Sequence, residues 1–134
     1  MKFTSTLLLS AGLSLAALTP AAAQSDYPDR PIKIIVPYSA GGIVDSIARL
    51  IGEKLSNKYG QPVLVENKAG AGGAIGVDFT ATAAPDGYTL LVVSPAYAVL
   101  PILQKSAKWN VARDFRSVEG IGVVPNVIVV LPSV

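Results

Sequence analysis

The sequence predicts an α/β fold in which parallel strands alternate with helices, and three observations carry that prediction. Apolar, β-branched runs of strand length recur at residues 32–36, 63–66 and 88–93. Segments long enough for helices separate them, the first with apolar residues at helical spacing. No hairpin signal lies between any two runs, so each connection is a crossover, which implies parallel strands wound right-handedly.

Each element has a local cause. Pro31 opens the run Ile32-Lys33-Ile34-Ile35-Val36 and Pro37 closes it, and so apolar a run suits a strand covered on both faces. Ile43, Ile47, Leu50, Ile51 and Leu55 then make one stripe of an amphipathic helix. Arg49, Glu53, Asn57 and Lys58 take its other side, with Arg49 and Glu53 four apart. Gly60 reads as the residue just past the helix end, and Pro62 prevents continuation. Val63-Leu64-Val65-Glu66 is the second strand. After Gly70-Ala71-Gly72-Gly73, the positions Ile75, Phe79 and Ala83 mark an Ala-rich second helix. It stops before Pro85-Asp86-Gly87, a turn in which proline presets φ and glycine takes the positive-φ position. Tyr88 to Val93 is the third strand. Beyond Ser94, Pro95 and Pro101 punctuate a short helix, and Lys105 to Arg116 reads as a polar loop around Trp109. Two apolar runs follow, Val118 to Val124 and Val127 to Leu131.

The first 23 residues read as an address rather than as part of this fold. Met1-Lys2 gives a positive start, and Leu7 to Leu18 is apolar but shorter than the roughly 20 residues that span a bilayer. Pro20 breaks the segment, and Ala21-Ala22-Ala23 offers the small-x-small pattern of a signal peptidase site, with cleavage after Ala23. Such a leader implies export from the cytoplasm. The chain has no cysteine, so lipid anchoring is not expected.

Composition then narrows the chemistry. The 134 residues contain neither cysteine nor histidine, which excludes a disulfide framework, Ser-His-Asp catalysis and most zinc sites. After position 23 there are ten basic and nine acidic residues, with no clustered basic face for nucleic acid. No cofactor or metal is expected. An apolar final strand at 125–134 needs partners, so the chain reads as the front part of a larger protein.

Two glycine loops hold equivalent places, each after a strand and before a helix: Pro37-Tyr38-Ser39-Ala40-Gly41-Gly42 and Ala69-Gly70-Ala71-Gly72-Gly73. In an open parallel sheet the carboxyl ends of the strands face a ligand crevice. Helix N-termini there present unpaired N–H groups and a positive dipole end, which suits an anion held largely by main-chain donors. The plainer alternative is that the glycines only make tight turns. Nucleotide motifs fail: Ile75 occupies the third glycine position of a fingerprint starting at Gly70, and no Gly-Lys pair exists for a phosphate loop. Ser39 lacks the first glycine of a nucleophile elbow and has no histidine base. Asp45 is a first-turn carboxylate favoured by the helix dipole, and Glu66 is expected to be solvated. Tyr38 and Tyr97 are candidates to line the crevice.

The motifs as a set resemble the substrate-binding proteins of tripartite tricarboxylate transporters. The stretch from Tyr27-Pro28 through Pro31 to Tyr38, then Gly41-Gly42 and Asp45, carries the likeness. So do Gly60-Gln61-Pro62-Val63, Val65 to Gly73, Ala83 to Leu91, and Pro125-Asn126-Val127 through Pro132-Ser133-Val134, in order and spacing. The resemblance implies a type II periplasmic-binding-protein fold, incomplete here at the C-terminus, whose two lobes close on a small carboxylate or acidic amino acid. Residues 24–124 would form the first part of lobe I, and 125–134 a strand leading toward the hinge and a second lobe. Carried over, the ligand-binding positions are Tyr38, Ser39, Ala40, Gly41, Gly42 and Asp45 in the first loop. Ala71, Gly72 and Gly73 stand in the second loop, and Ser94 after the third strand. Ile43-Val44 replace the small residue and threonine that often precede the aspartate, which removes a hydroxyl and adds bulk. The implied partners are membrane components of such a transporter, with a monomeric full-length receptor. Two other functions fit the sequence, a truncated fragment without activity and a small exported α/β enzyme using Ser39 or Asp45.

Overall fold

The elements β1 (Ile32–Val36), α1 (Ile43–Tyr59), β2 (Val63–Asn67), α2 (Ala74–Ala81) and β3 (Thr89–Leu91) follow one another in the expected alternation. They are seen in a computed structural model that describes residues 27–105, 107–123 and 129–131. The expected leader at 1–23 lies outside the described residues. β1 is the middle strand. It pairs in parallel with β2, from Ile32 opposite Val63 to Val36 opposite Asn67, and with β3, from Lys33 opposite Thr89 to Ile35 opposite Leu91. With the order β2-β1-β3, right-handed crossovers send the two helices to opposite faces of the sheet.

Strand alternation then divides the core in two. Ile34, Val36, Val63, Val65, Leu90 and Val92 pack with Val44, Ala48 and Ile51 of α1. Leu91 and Val93 face the other way, toward Ala74 and Val77 of α2. All of β1 is buried except Lys33, as a strand covered on both sides requires.

The buried face of α1 differs from the predicted stripe. Asp45, Ala48 and Gly52 point inward, while Ile43 is 67% and Leu50 57% exposed. Small residues win this face because they let the helix lie close on the sheet. A Cβ added to Gly52 would stand 3.4 Å from both Val63 Cγ1 and Val65 Cγ2. The helix ends as predicted, with Gly60 at φ 68° and its N–H on the Ser56 carbonyl.

Other boundaries move for local reasons. α2 stops at Ala81, short of Ala83, and the Thr82 hydroxyl donates back to the Asp78 and Phe79 carbonyls. β3 is shorter than the predicted Tyr88–Val93, although the Val92 N–H still reaches the Ile35 carbonyl. Beyond that point β1 has run into Pro37 and has nothing to pair. Pro95–Ala98 makes a single tight turn, followed by the short α3 (Leu100–Leu103). The segment around Trp109 is no polar loop. Asn110 caps a turn, α4 (Val111–Asp114), and Trp109 is buried against Ala74, Val77 and Leu100. α2 is short and small-residue-rich, so its face of the sheet needs this extra cover.

Residues 118–123 form no helix or strand and stand exposed. Of the run Val127 to Leu131, and of the strand expected at 125–134, only residues 129–131 are described, and these are exposed too.

At the amino ends of the strands a clasp ties the start of the described chain to the Pro-Asp-Gly turn. Tyr27 Oη donates to the Gly87 carbonyl at 2.7 Å and Tyr88 Oη to Asp29 Oδ1 at 2.6 Å. Arg30 pairs with Asp86 at 2.8 Å and lies over the Tyr88 ring. The Tyr88 N–H, and then the Arg30 charge, hold the Asp86 carboxyl below its ordinary range.

Candidate functional site

The opposite, carboxyl edge of the sheet gathers the predicted site. Tyr38 follows β1, Gly70–Gly73 follow β2 and Ser94 follows β3. Tyr38 and Ser94 share a hydroxyl–hydroxyl hydrogen bond of 2.7 Å, which joins the ends of β1 and β3. Gly73 is packed so closely on the first loop that an added Cβ would lie 3.3 Å from Tyr38 Cε1. Both glycine loops therefore meet at one corner.

In the first loop the backbone is held by side chains. Gly42 precedes α1 without any side-chain cap, and the first intrahelical bond runs from Ser46 N–H to the Gly42 carbonyl. The N–H groups of Ile43, Val44 and Asp45 come before it and have no intrahelical acceptor. Asp45 is 3% exposed. Its Oδ2 accepts the Gly41 N–H at 2.8 Å and Arg49 Nε at 3.1 Å. Its Oδ1 accepts Asn67 Nδ2 at 2.9 Å and stands 3.0 Å from the second Arg49 nitrogen as an ion pair. Asn67 Nδ2 also donates to the Tyr38 carbonyl, and Arg49 donates to Asn67 Oδ1. The Arg49 guanidinium, then the Gly41 N–H and then Asn67 hold the Asp45 carboxyl down at about 2.

The second loop is held by conformation. Gly70, Ala71, Gly72 and Gly73 run at φ 134°, 48°, 66° and 103°, and the Gly73 N–H closes on the Gly70 carbonyl at 2.9 Å. Ala71 is the one non-glycine with positive φ among the described residues. The side-chain contact to this loop is a long one, Gln104 Nε2 to the Ala71 carbonyl at 3.4 Å. Just beyond, Gly76 is forced: a Cβ there would come within 2.8 Å of Pro37 Cα and the Lys68 carbonyl oxygen.

A hollow of about 310 Å³ opens at this corner, lined by Tyr38, Gly42, Ile43, Val44, Asp45 and Ser94. Ser39, Ala40 and Gly41 lie outside its lining, as do Ala71, Gly72 and Gly73. Tyr97 packs instead in the cluster around Trp109, edge-on to Phe115. A larger open groove of about 720 Å³ runs along α1 and the outer edge of β2, away from both glycine loops. The strand-end hollow borders the amino end of α1, so it is the better candidate despite its size. Glu66 pairs with Lys33 at 3.1 Å and Lys68 at 3.7 Å, in keeping with a solvated charge. Among the described residues no His, Cys, Asp and Glu side chains cluster as metal ligands, and no helix is long and apolar enough to cross a membrane.

Sequence reasoning missed Asn67 and mispaired Arg49. The helical spacing offered Arg49 two acidic partners, Asp45 and Glu53, and the structure uses the buried one. Asn67 carried no signal beyond being a short amide at the carboxyl end of a strand.

The profile of the tripartite tricarboxylate transporter family receptor, TctC, matches residues 47–134. The chain belongs to this family. Protein BugT of Bordetella pertussis is 44% identical to it over 123 residues, covering 90% of this chain and 38% of BugT. A solved periplasmic transporter is 48% identical with a TM-score of 0.56, covering 60% of this chain and 27% of that one. A ligand-free TctC solute binding protein from Polaromonas is 36% identical with a TM-score of 0.54, over 57% of this chain and 27% of that one. This TctC chain thus has the α/β architecture of periplasmic binding proteins and spans less than two fifths of BugT.

Proposed function

We propose that this chain supplies the first part of lobe I of a periplasmic receptor that captures a small organic anion for a tripartite transporter. The anion is a carboxylate or an acidic amino acid, and it is bound without chemical turnover. The observation that carries this is the meeting of two glycine loops at one sheet corner, where the amino end of α1 borders a hollow. Main-chain donors at Gly42, with Ser39, Ala40, Ala71 and Gly72 at the rim of the same corner, would receive the carboxylate beside the Tyr38 and Ser94 hydroxyls, while the Gly41 and Gly73 N–H groups are spent on holding the loops. Ile43 and Val44 line the hollow and would meet the apolar part of the ligand. Asp45 serves from behind, by holding Gly41. Export would remove residues 1–23 after Ala23. Residues 125–134 would lead to the hinge, and the greater length of the relatives leaves room for a second lobe. Membrane components of the transporter would be the partners of a monomeric receptor.

Calorimetric titration of the mature protein with a panel of mono-, di- and tricarboxylates and acidic amino acids tests this. Saturable binding of at least one acid, recovered chemically unchanged, is expected. A panel without a single binder overturns the proposal.

A further inference from the structure

The site described above contains an apparent contradiction. A hollow suited to an anion has a buried carboxylate, Asp45, in its wall. An anion bound beside this buried carboxylate would be repelled by it. The loop nevertheless needs this carboxylate, because it takes the Gly41 N–H and so sets the backbone of the first loop. What reconciles the two is Arg49. Its guanidinium meets Asp45 side-on through two nitrogens, at 3.1 and 3.0 Å, and is itself braced by Asn67 at 2.8 Å. A guanidinium held by one hydrogen bond to Asp45 and another to Asn67 cancels the carboxylate charge in a fixed geometry, which a flexible lysine does less well.

We infer that Arg49 is a positioning residue of the anion site: without lining the hollow, it neutralises Asp45 so that a carboxylate can enter beside it. Asn67 completes the device by bonding Asp45, Arg49 and the Tyr38 carbonyl at once. The inference rests on the carboxylate-binding proposal, and it adds a charge requirement to it. Arg49 is half-exposed, so solvent screens part of its effect and the expected change is moderate.

The test uses the mature protein as its gene encodes it, labelled with ¹⁵N-glycine and titrated with acetate, the smallest stable carboxylate that carries a methyl group. The Gly41 and Gly42 amide signals report occupancy. In the unaltered protein they should shift saturably. Arg49→Gln, which keeps an amide donor toward Asp45 without the charge, should weaken acetate by roughly tenfold at low ionic strength, with a smaller gap as salt rises. Asp45→Asn added to Arg49→Gln should regain most of that loss, which no purely structural role of Arg49 predicts. Arg49→Lys keeps the charge and should fall between the two. It serves as the deciding variant should Arg49→Gln fail to fold.

Saturable shifts in the unaltered protein with equal affinity in Arg49→Gln overturn the inference and leave the binding proposal standing. So does a double variant weaker than Arg49→Gln, or a lysine variant as weak as the glutamine one. No shift at either glycine in the unaltered protein overturns the binding site and the inference together.

Discussion

The two glycine loops sit side by side on one sheet edge yet are held in place by opposite means. In the first, one glycine, Gly41, takes positive φ, and a side-chain bracket of Asp45, Arg49 and Asn67 does the fixing. In the second, four successive residues run at positive φ, and close packing of bare backbone against Pro37 and Tyr38 replaces side chains. The first loop is therefore sensitive to charge and pH. The second is sensitive to volume. The proposed binding by main-chain donors would need both loops rigid, because each donor that has to be ordered on binding subtracts from affinity.

The largest effect is expected where the second loop has no slack. Gly76→Ala puts a methyl group within 2.8 Å of two backbone atoms that cannot turn aside. A loss of about 3 kcal/mol is expected, with both loops displaced, since the clash involves the start of one and the approach to the other. A urea melt followed through Trp109, the only tryptophan, reads it directly. A variant as stable as the parent would show that packing does not hold the second loop.

Breaking the bracket should cost less. Asn67→Ala leaves the Tyr38 carbonyl and one Asp45 oxygen each short of a donor, for about 2 kcal/mol. The same melt should show it, and glycine amide shifts should change at Gly41 and Gly42 more than at Gly72 and Gly73. Equal changes in both loops would erase the distinction drawn here.

Acid sharpens the contrast. Asp45 has a folded-state pKa of about 2, below its unfolded value near 3.9. The stability it contributes is therefore fully present above the unfolded pKa and is lost as pH falls through the folded one. Urea midpoints should be flat with respect to this group from pH 7 to about 5 and decline between about 4 and 2. Asp114, held down by Arg113, declines in the same window, so the comparison is with Asp45→Asn, in which the decline should be shallower. Identical acid limbs would remove Asp45 from the account. The smallest effect belongs to Ala71→Gly. Relief of left-handed strain is nearly cancelled by the entropy of a freer unfolded chain, leaving a change under about 1 kcal/mol, toward stability.

How much of this the sequence announced follows the same division. The alternation of strands and helices, the parallel pairing it implies, the Gly60 helix end and both glycine loops were legible, because each rests on patterns along the chain. The bracket was not, since it joins Asp45 and Arg49 to Asn67, 22 and 18 residues away. Periodicity aimed α1 only in part, putting Ile51 against the core correctly but Ile43 and Leu50 on a face that is exposed. It weighs bulk, and the face that approaches the sheet was chosen by Ala48 and Gly52 for their lack of it. Trp109 looked stranded among polar residues because its partners, Ala74, Val77 and Leu100, come from other parts of the chain. The family, by contrast, was visible from ordered short motifs alone.

The clasp at Tyr27, Asp29 and Arg30 has a practical consequence for handling the protein. It fixes the start of the described chain at the amino ends of the strands, while the hollow lies at the carboxyl ends. Five strand residues separate the two, about 17 Å. An affinity tag, a fluorophore or a link to a sensor surface joined ahead of Tyr27 therefore starts from the end of the sheet opposite the hollow. Attachment on that side would leave the proposed site open to its ligand.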